Sequence, residues 1–136
     1  MSTRLREKNQ KIGQILVELA EESARKIPIV VEGRKDVDAL CSLGVYGPVL
    51  TVKTGGKSFA EALQEIEETD AAEVILLLDF DRRGKQDTEH FRQELERAKI
   101  KVNIRFWRGL SGLLGREIQC IESLTSYLDT LQRKAA

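Results

Sequence analysis

Glu73-Val74-Ile75-Leu76-Leu77-Leu78-Asp79-Phe80-Asp81-Arg82-Arg83-Gly84 is the stretch on which the fold turns. Its apolar run is continuous rather than alternating, as in a parallel strand covered on both faces, and it stops abruptly at carboxylates. Upstream, Ile29-Val30-Val31-Glu32-Gly33 has the same form. Between the two runs, Asp36–Leu43 reads as a helix with Gly44 placed to cap it, Pro48–Val52 as a strand, and Ser58–Glu68 as a helix with Phe59, Ala62, Leu63 and Ile66 inward. Downstream, Gly84–Lys99 reads as a helix, with Phe91 and Leu95 four apart on one face. Lys101–Trp107 reads as a fourth strand, because Val102, Ile104 and Phe106 alternate with polar partners. A Gly-rich connection, Gly109–Gly115, and a last helix at Ser123–Arg133 complete the chain.

Residues 4–26 read as one long helix with Ile12, Ile15, Leu16, Leu19 and Ser23 along a single stripe. Pro28 ends it, since the residue before proline avoids helical angles. Strands that alternate with helices imply βαβ units. The expected fold is therefore α/β: a central, mainly parallel four-stranded sheet with helices on both faces, a three-layer sandwich, plus the N-terminal helix. Residues 1–26 form a helical extension and 27–136 the α/β body, one compact unit overall. The extension is expected to cover a sheet face, with dimer formation as the alternative.

In an open α/β sheet, ligands bind outside the carboxyl ends of the strands. If the two acidic strands share a sheet, Glu32, Asp79 and Asp81 meet there. Three carboxylates at one point repel one another unless a cation sits among them, and an all-oxygen set with water suits Mg²⁺, or Mn²⁺. The alternative is that these acids merely cap helix N-termini.

Val31-Glu32-Gly33-Arg34-Lys35-Asp36 followed by Asp79-Phe80-Asp81-Arg82-Arg83-Gly84-Lys85 resembles a Toprim domain, the module of topoisomerases, bacterial primases, recombination proteins and small ribosomal-RNA maturation nucleases. Its marks are a Glu-Gly after the first strand and an Asp-x-Asp-x-x-Gly after the third. The resemblance covers roughly residues 27–108. It implies that Glu32 acts as general acid or base in phosphoryl transfer and that Asp79 and Asp81 hold Mg²⁺. Carboxylates held together also raise one another's proton affinity. Gly33 is expected to allow a tight turn and the close approach of a phosphate. Asp36 is a supporting partner or an N-cap, and Gly84 serves the turn into the next helix.

Arg34, Lys35, Arg82, Arg83 and Lys85 flank the acids and are candidates for phosphate contact, with salt bridges to Asp87 or Glu89 as the alternative for the last three. Thr54-Gly55-Gly56-Lys57-Ser58 is similar to a phosphate loop, but a nucleotide-hydrolysing P-loop needs glycine where the chain has Thr51. Gly55 and Lys57 are left as a milder phosphate-binding turn.

The chain has 22 basic and 22 acidic residues, which excludes a passive polycation coating nucleic acid. The charge is nevertheless segregated. Residues 97–108 carry Arg97, Lys99, Lys101, Arg105 and Arg108 with no acid, a candidate phosphate-facing rim, whereas residues 61–73 carry acids and no base. Phe106 and Trp107 stand amid these bases, either stacking on unpaired bases or packing. Cys41 and Cys120 lack metal-ligand spacing and read as buried thiols; His90 reads as a surface residue. No run approaches the ~20 apolar residues that cross a bilayer. The expected protein is cytoplasmic, without a membrane partner, and monomeric or homodimeric. It would act on RNA or DNA as a metal-dependent nuclease-like enzyme. The alternative is a non-catalytic nucleic-acid or nucleotide-binding module that works with a protein partner.

Overall fold

The computed structural model describes residues 2–135. Four strands, β1 (Ile29–Val31), β2 (Val49–Thr51), β3 (Glu73–Leu76) and β4 (Lys101–Asn103), form one sheet in the order β2-β1-β3-β4. All three pairings are parallel, with Val30 opposite Leu50 and Leu76, and Val74 opposite Val102. Six helices surround it: α1 (Thr3–Ala24), α2 (Arg34–Ser42), α3 (Phe59–Glu68), α4 (Arg82–Arg97), α5 (Arg105–Leu114) and α6 (Leu124–Ala135).

The continuous apolar runs are explained by which way successive residues point. Ile29, Val31, Ile75 and Leu77 face one side and join Ile12 and Leu19 of α1, Leu40 of α2, Phe106 and Leu110 of α5, and Leu124 of α6. Val30, Val74, Leu76 and Leu78 face the other and join Ala62 and Ile66 of α3 and Phe91 and Leu95 of α4. The alternation of side chains along a strand thus feeds two cores, so no polar residue is tolerated until the runs end. Truncating any of these buried leucines to alanine costs about 2–5 kcal/mol. The expected three-layer α/β sandwich is the observed one.

The helix stripe on α1 is also as read. Ile12, Leu19 and Ser23 are buried, and the Ser23 hydroxyl accepts the Gly47 N–H at 2.9 Å, docking the end of α1 on the turn before β2. Lys26 then takes a left-handed φ of 72°, turning the chain into Pro28 and β1.

Two expectations are corrected. The fourth strand stops at Asn103, and residues 105–114, read partly as strand and partly as a Gly-rich loop, form α5. Phe106, Leu110 and Leu114 are all buried at helical spacing, and the Asn103 side chain accepts the Arg105 N–H at 2.8 Å to start the turn. Gly109 permits close helix packing, since a Cβ there would lie 2.9 Å from Ile15 Cδ1 of α1. The cysteines are not buried thiols: Cys41 is exposed and Cys120 half-buried, because Cys41 points off the outer side of α2 and Cys120 lines a cleft. Among the described residues no helix is long and apolar enough to cross a membrane.

Candidate functional site

The strand order reverses between β1 and β3: β1 leads outward to β2, and β3 leads the opposite way to β4. At such a switch point the helices that follow the two strands diverge to opposite faces and leave a crevice at the carboxyl ends. Glu32 follows β1 and Asp79 follows β3, so both reach that crevice. A cleft of about 300 Å³ opens there, walled by Glu32, Gly33, Asp36, Lys53, Asp79 and Cys120.

Glu32 is 7% exposed, and neither of its carboxylate oxygens accepts an aligned hydrogen bond. The cation beside it is Lys53, whose ammonium lies 2.8 Å from Oε2 and 3.5 Å from Asp87 Oδ2. Burial works against the charge on Lys53, but the two acids outweigh it and hold the ammonium above its ordinary value. A buried carboxylate with an orphaned oxygen is costly in a folded protein unless something else occupies the site.

Asp79 is where the crowding of acids is felt. Burial first, then the charges of Glu32, Asp36 and Asp81, push its carboxyl up to about 7, with Lys53 pulling the other way. The backbone around it is clamped. Its carbonyl accepts the Trp107 indole N–H at 3.3 Å, and a Cβ on Gly84 would lie 2.0 Å from the same oxygen. Gly84 is therefore required by close approach and not by the turn expected of it, since it lies within α4 and takes no left-handed φ. Phe80 donates its N–H to the Gln119 carbonyl at 2.7 Å, which draws the 116–120 segment over the end of β3.

Asp36 is both cap and wall. Its Oδ2 accepts the Gly33 N–H at 3.1 Å, and its Oδ1 accepts the Glu122 N–H at 2.8 Å. Burial raises its proton affinity, and these two bonds oppose the shift. Ligand atoms of Asp36, Asp79 and Cys120 lie within 4.8 Å of one another. Asp81 and Glu32 stand outside that trio. Asp81 is exposed and caps α4, its Oδ1 accepting the Gly84 N–H at 2.7 Å and leaving Oδ2 free.

The flanking residues divide. Among the described residues Arg82, Arg83 and Lys85 are exposed and make no ion pair, because Asp87 is taken by Lys53 and Glu89 by Arg92. Arg34 and Lys35 line the cleft with long contacts to Asp38 and Glu122, at 3.9 and 3.8 Å. Lys57 does not join them. Gly55 and Gly56 take left-handed φ of 79° and 68°, and the turn sends Lys57 to the Thr51 carbonyl at 2.9 Å and Glu65 at 2.6 Å. Gly33 is extended (φ −147°), and a Cβ there would meet nothing within 4 Å. The tight-turn reason for that glycine is therefore corrected, and open space beside Glu32 remains. Phe106 is buried in the core and Trp107 packs partly buried against it, and Arg97 and Arg105 pair with Glu94 and Glu18.

Lys53 and Cys120 were missed in the sequence. Lys53 follows β2, the neighbour of β1, so the strand-end rule that found Glu32 also reaches it. Cys120 arrives through the Phe80–Gln119 bond, a long-range contact that no local spacing encodes.

A family model described as Toprim-like matches residues 29–111. The chain belongs to the Toprim-like family. This Toprim-like chain is 36% identical over 121 residues to a UPF0292 protein of Methanocaldococcus jannaschii, covering 88% of this chain and 91% of that one. A UPF0292 protein of Methanosarcina acetivorans is 29% identical over 130 residues, covering 95% and 88%. A solved structure of a protein from Aquifex aeolicus superposes with a TM-score of 0.66 at 27% identity, covering 81% of this chain and 94% of that one. Toprim domains bind Mg²⁺ through acidic residues, so membership points to a metal-binding, nucleic-acid-related role. The matched stretch contains Glu32, Asp36, Lys53, Asp79 and Asp81; Cys120 and Glu122 lie beyond it.

Proposed function

We propose that this Toprim-like protein is a metal-dependent phosphodiesterase that cleaves RNA or DNA. The observation that carries the reading is Glu32, a buried carboxylate with an orphaned oxygen beside the proton-hungry Asp79 at the sheet's switch point. This donor set fits a hard divalent cation, since Glu32, Asp79 and the free oxygen of Asp81 offer only oxygens. When bound there, Mg²⁺ supplies charge neutralisation at the non-bridging phosphate oxygens.

The chain's own residues do the rest. The open space at Gly33 admits a phosphate against the N-terminus of α2, where the first backbone N–H groups point outward. Lys53 pairs with Glu32 and Asp87 at the edge of the cleft, where its ammonium is placed to meet a phosphate oxygen. Glu32 then accepts a proton from the attacking water or returns one to the leaving oxygen. Arg82, Arg83 and Lys85, unpaired and exposed, bind flanking phosphates and set the register of the strand without reading its bases.

The test is cleavage of labelled single- and double-stranded RNA and DNA with Mg²⁺ and Mn²⁺, alongside Glu32→Gln and Asp79→Asn. Metal-dependent products lost in both variants, with far-UV circular dichroism unchanged, support the enzyme. Metal-dependent binding without products would overturn catalysis and leave a binding module that depends on a partner protein.

A further inference from the structure

We propose that the cleft also holds a second, thiophilic cation site, formed by Cys120 Sγ with one carboxylate oxygen each from Asp36 and Asp79, that takes Zn²⁺ in competition with the hard cation. It rests on the proposed function only in sharing Asp79 with the Mg²⁺ ligands.

The geometry is local and built. The three ligand atoms lie within 4.8 Å of one another, close enough for one ion to touch all three after small rotations of the side chains. Each ligand is positioned by a different long-range contact. Asp36 is oriented by the Gly33 and Glu122 N–H groups, which fix its carboxylate while leaving lone pairs toward the cleft. Asp79 is held by the clamp on its backbone carbonyl. Cys120 follows Gln119, whose carbonyl is pinned to Phe80. Among the described residues the Cys120 thiol has one hydrogen-bond partner, the Ser123 hydroxyl at 3.4 Å, a weak one that a metal displaces readily.

A second observation, shared with the hard-cation reading, points to a cation in this cleft. Glu32 is more than nine-tenths buried and lines the same cleft; Lys53 pairs with its Oε2 at 2.8 Å, and among the described residues its Oε1 has no partner. Lys53 offsets one of the negative charges, and two carboxylates and a thiol remain for the ion.

Ligand chemistry then decides which ion. Mg²⁺ demands six oxygens and binds thiolate poorly, whereas three ligands with one sulfur and an open fourth position suit Zn²⁺. Asp79 cannot serve both arrangements at full strength, so the two cations exclude one another. Zn²⁺ would therefore switch off the Mg²⁺-dependent reaction by occupancy.

The experiment uses the reduced full chain, freed of metal and titrated with Co²⁺, which reports thiolate coordination as a sulfur-to-metal charge-transfer band. The band is expected in the parent protein and in Cys41→Ser, bleached by Zn²⁺, and lost in Cys120→Ser. Zn²⁺ should bind Cys120→Ser at least about 100-fold more weakly, since even loss of an outer partner of a ligand costs 10–100-fold. Mn²⁺ binding, followed by electron paramagnetic resonance, should survive in Cys120→Ser and be displaced by Zn²⁺ in the parent. A band that persists in Cys120→Ser, or no band in the parent while Mn²⁺ still binds, overturns the thiol site and spares the hard-cation reading. A band in the parent with no Mn²⁺ binding does the reverse. If Cys120→Ser does not fold, Zn²⁺ protection against iodoacetamide is read by mass spectrometry on the parent. Alkylation slowed about 10-fold or more at Cys120 and not at exposed Cys41 supports the site, and equal rates overturn it.

Discussion

Replacing Asp79 with asparagine should stabilise the metal-free protein above neutral pH and remove its response to divalent cations. The folded carboxyl keeps its proton to about 7 because of burial and then the charges of Glu32, Asp36 and Asp81, whereas its ordinary value is 3.8. Across that window the folded state holds a proton that unfolding releases, so stability falls as pH rises and levels off above about 7. A gap of about three units is worth ~4 kcal/mol in full. Asp79 is only half-buried, and solvent screening reduces this to ~1–2 kcal/mol. Asparagine has nearly the same shape, and among the described residues the Asp79 carboxylate accepts no hydrogen bond that the change would break. In a chain of this length the gain raises Tm by roughly 3–10 °C. Thermal unfolding by circular dichroism, in chelator, should show the two proteins converging near about pH 4 and separated by that interval near about pH 8. Mg²⁺ should then raise the parent's Tm and leave the variant's unchanged. A variant no more stable than its parent at the higher pH, or a difference flat across the range, refutes the reasoning.

Other substitutions probe the scaffold and the phosphate contacts. Gly84→Ala places a methyl 2.0 Å from the Asp79 carbonyl oxygen, so the start of α4 must shift; urea unfolding should show a loss of about 2–3 kcal/mol. Ser23→Ala orphans the Gly47 N–H it now accepts, and the same assay should read ~1–2 kcal/mol less stability. Arg82→Ala and Arg83→Ala should each flatten the salt dependence of nucleic-acid binding by roughly one unit of slope, measured by fluorescence anisotropy across ionic strength, with melting unchanged. Lys53→Ala should weaken substrate binding in that assay, whereas Lys57→Ala should leave it nearly intact, because Lys57 is already committed to Glu65 and the Thr51 carbonyl.

The strand ends were legible because their physics is local. A run such as Val74–Leu78 has no polar member, and only a strand covered on both faces accommodates that; the acids that terminate it mark the open end of the sheet. The α5 segment was misread because Val102, Ile104 and Phe106 alternate over five residues, and that pattern outweighed the longer spacing of Phe106, Leu110 and Leu114. Its glycines looked like punctuation, yet Gly109 is there to let α5 lie against Ile15. Lys57 was misplaced because two left-handed glycines precede it, and their effect on the path of a loop is invisible in a string of letters. Cys120 lay further out of reach, since its position depends on a hydrogen bond between residues 80 and 119.

That bond divides the labour within the cleft. Glu32 and Asp79 follow the ends of β1 and β3, strands whose side chains feed both cores. The facing wall is a short segment, Arg116–Glu122, tied down by the Phe80 and Asp36 contacts and by Ile118 and Ile121, which are buried in the core, while Arg116, Glu117, Gln119 and Glu122 are exposed. Substitutions along it can exchange a sulfur for an oxygen, or widen the entrance, with the sheet unaltered. On the two proposals made above, the strand ends would carry the chemistry and this one segment would set which cation is admitted to it.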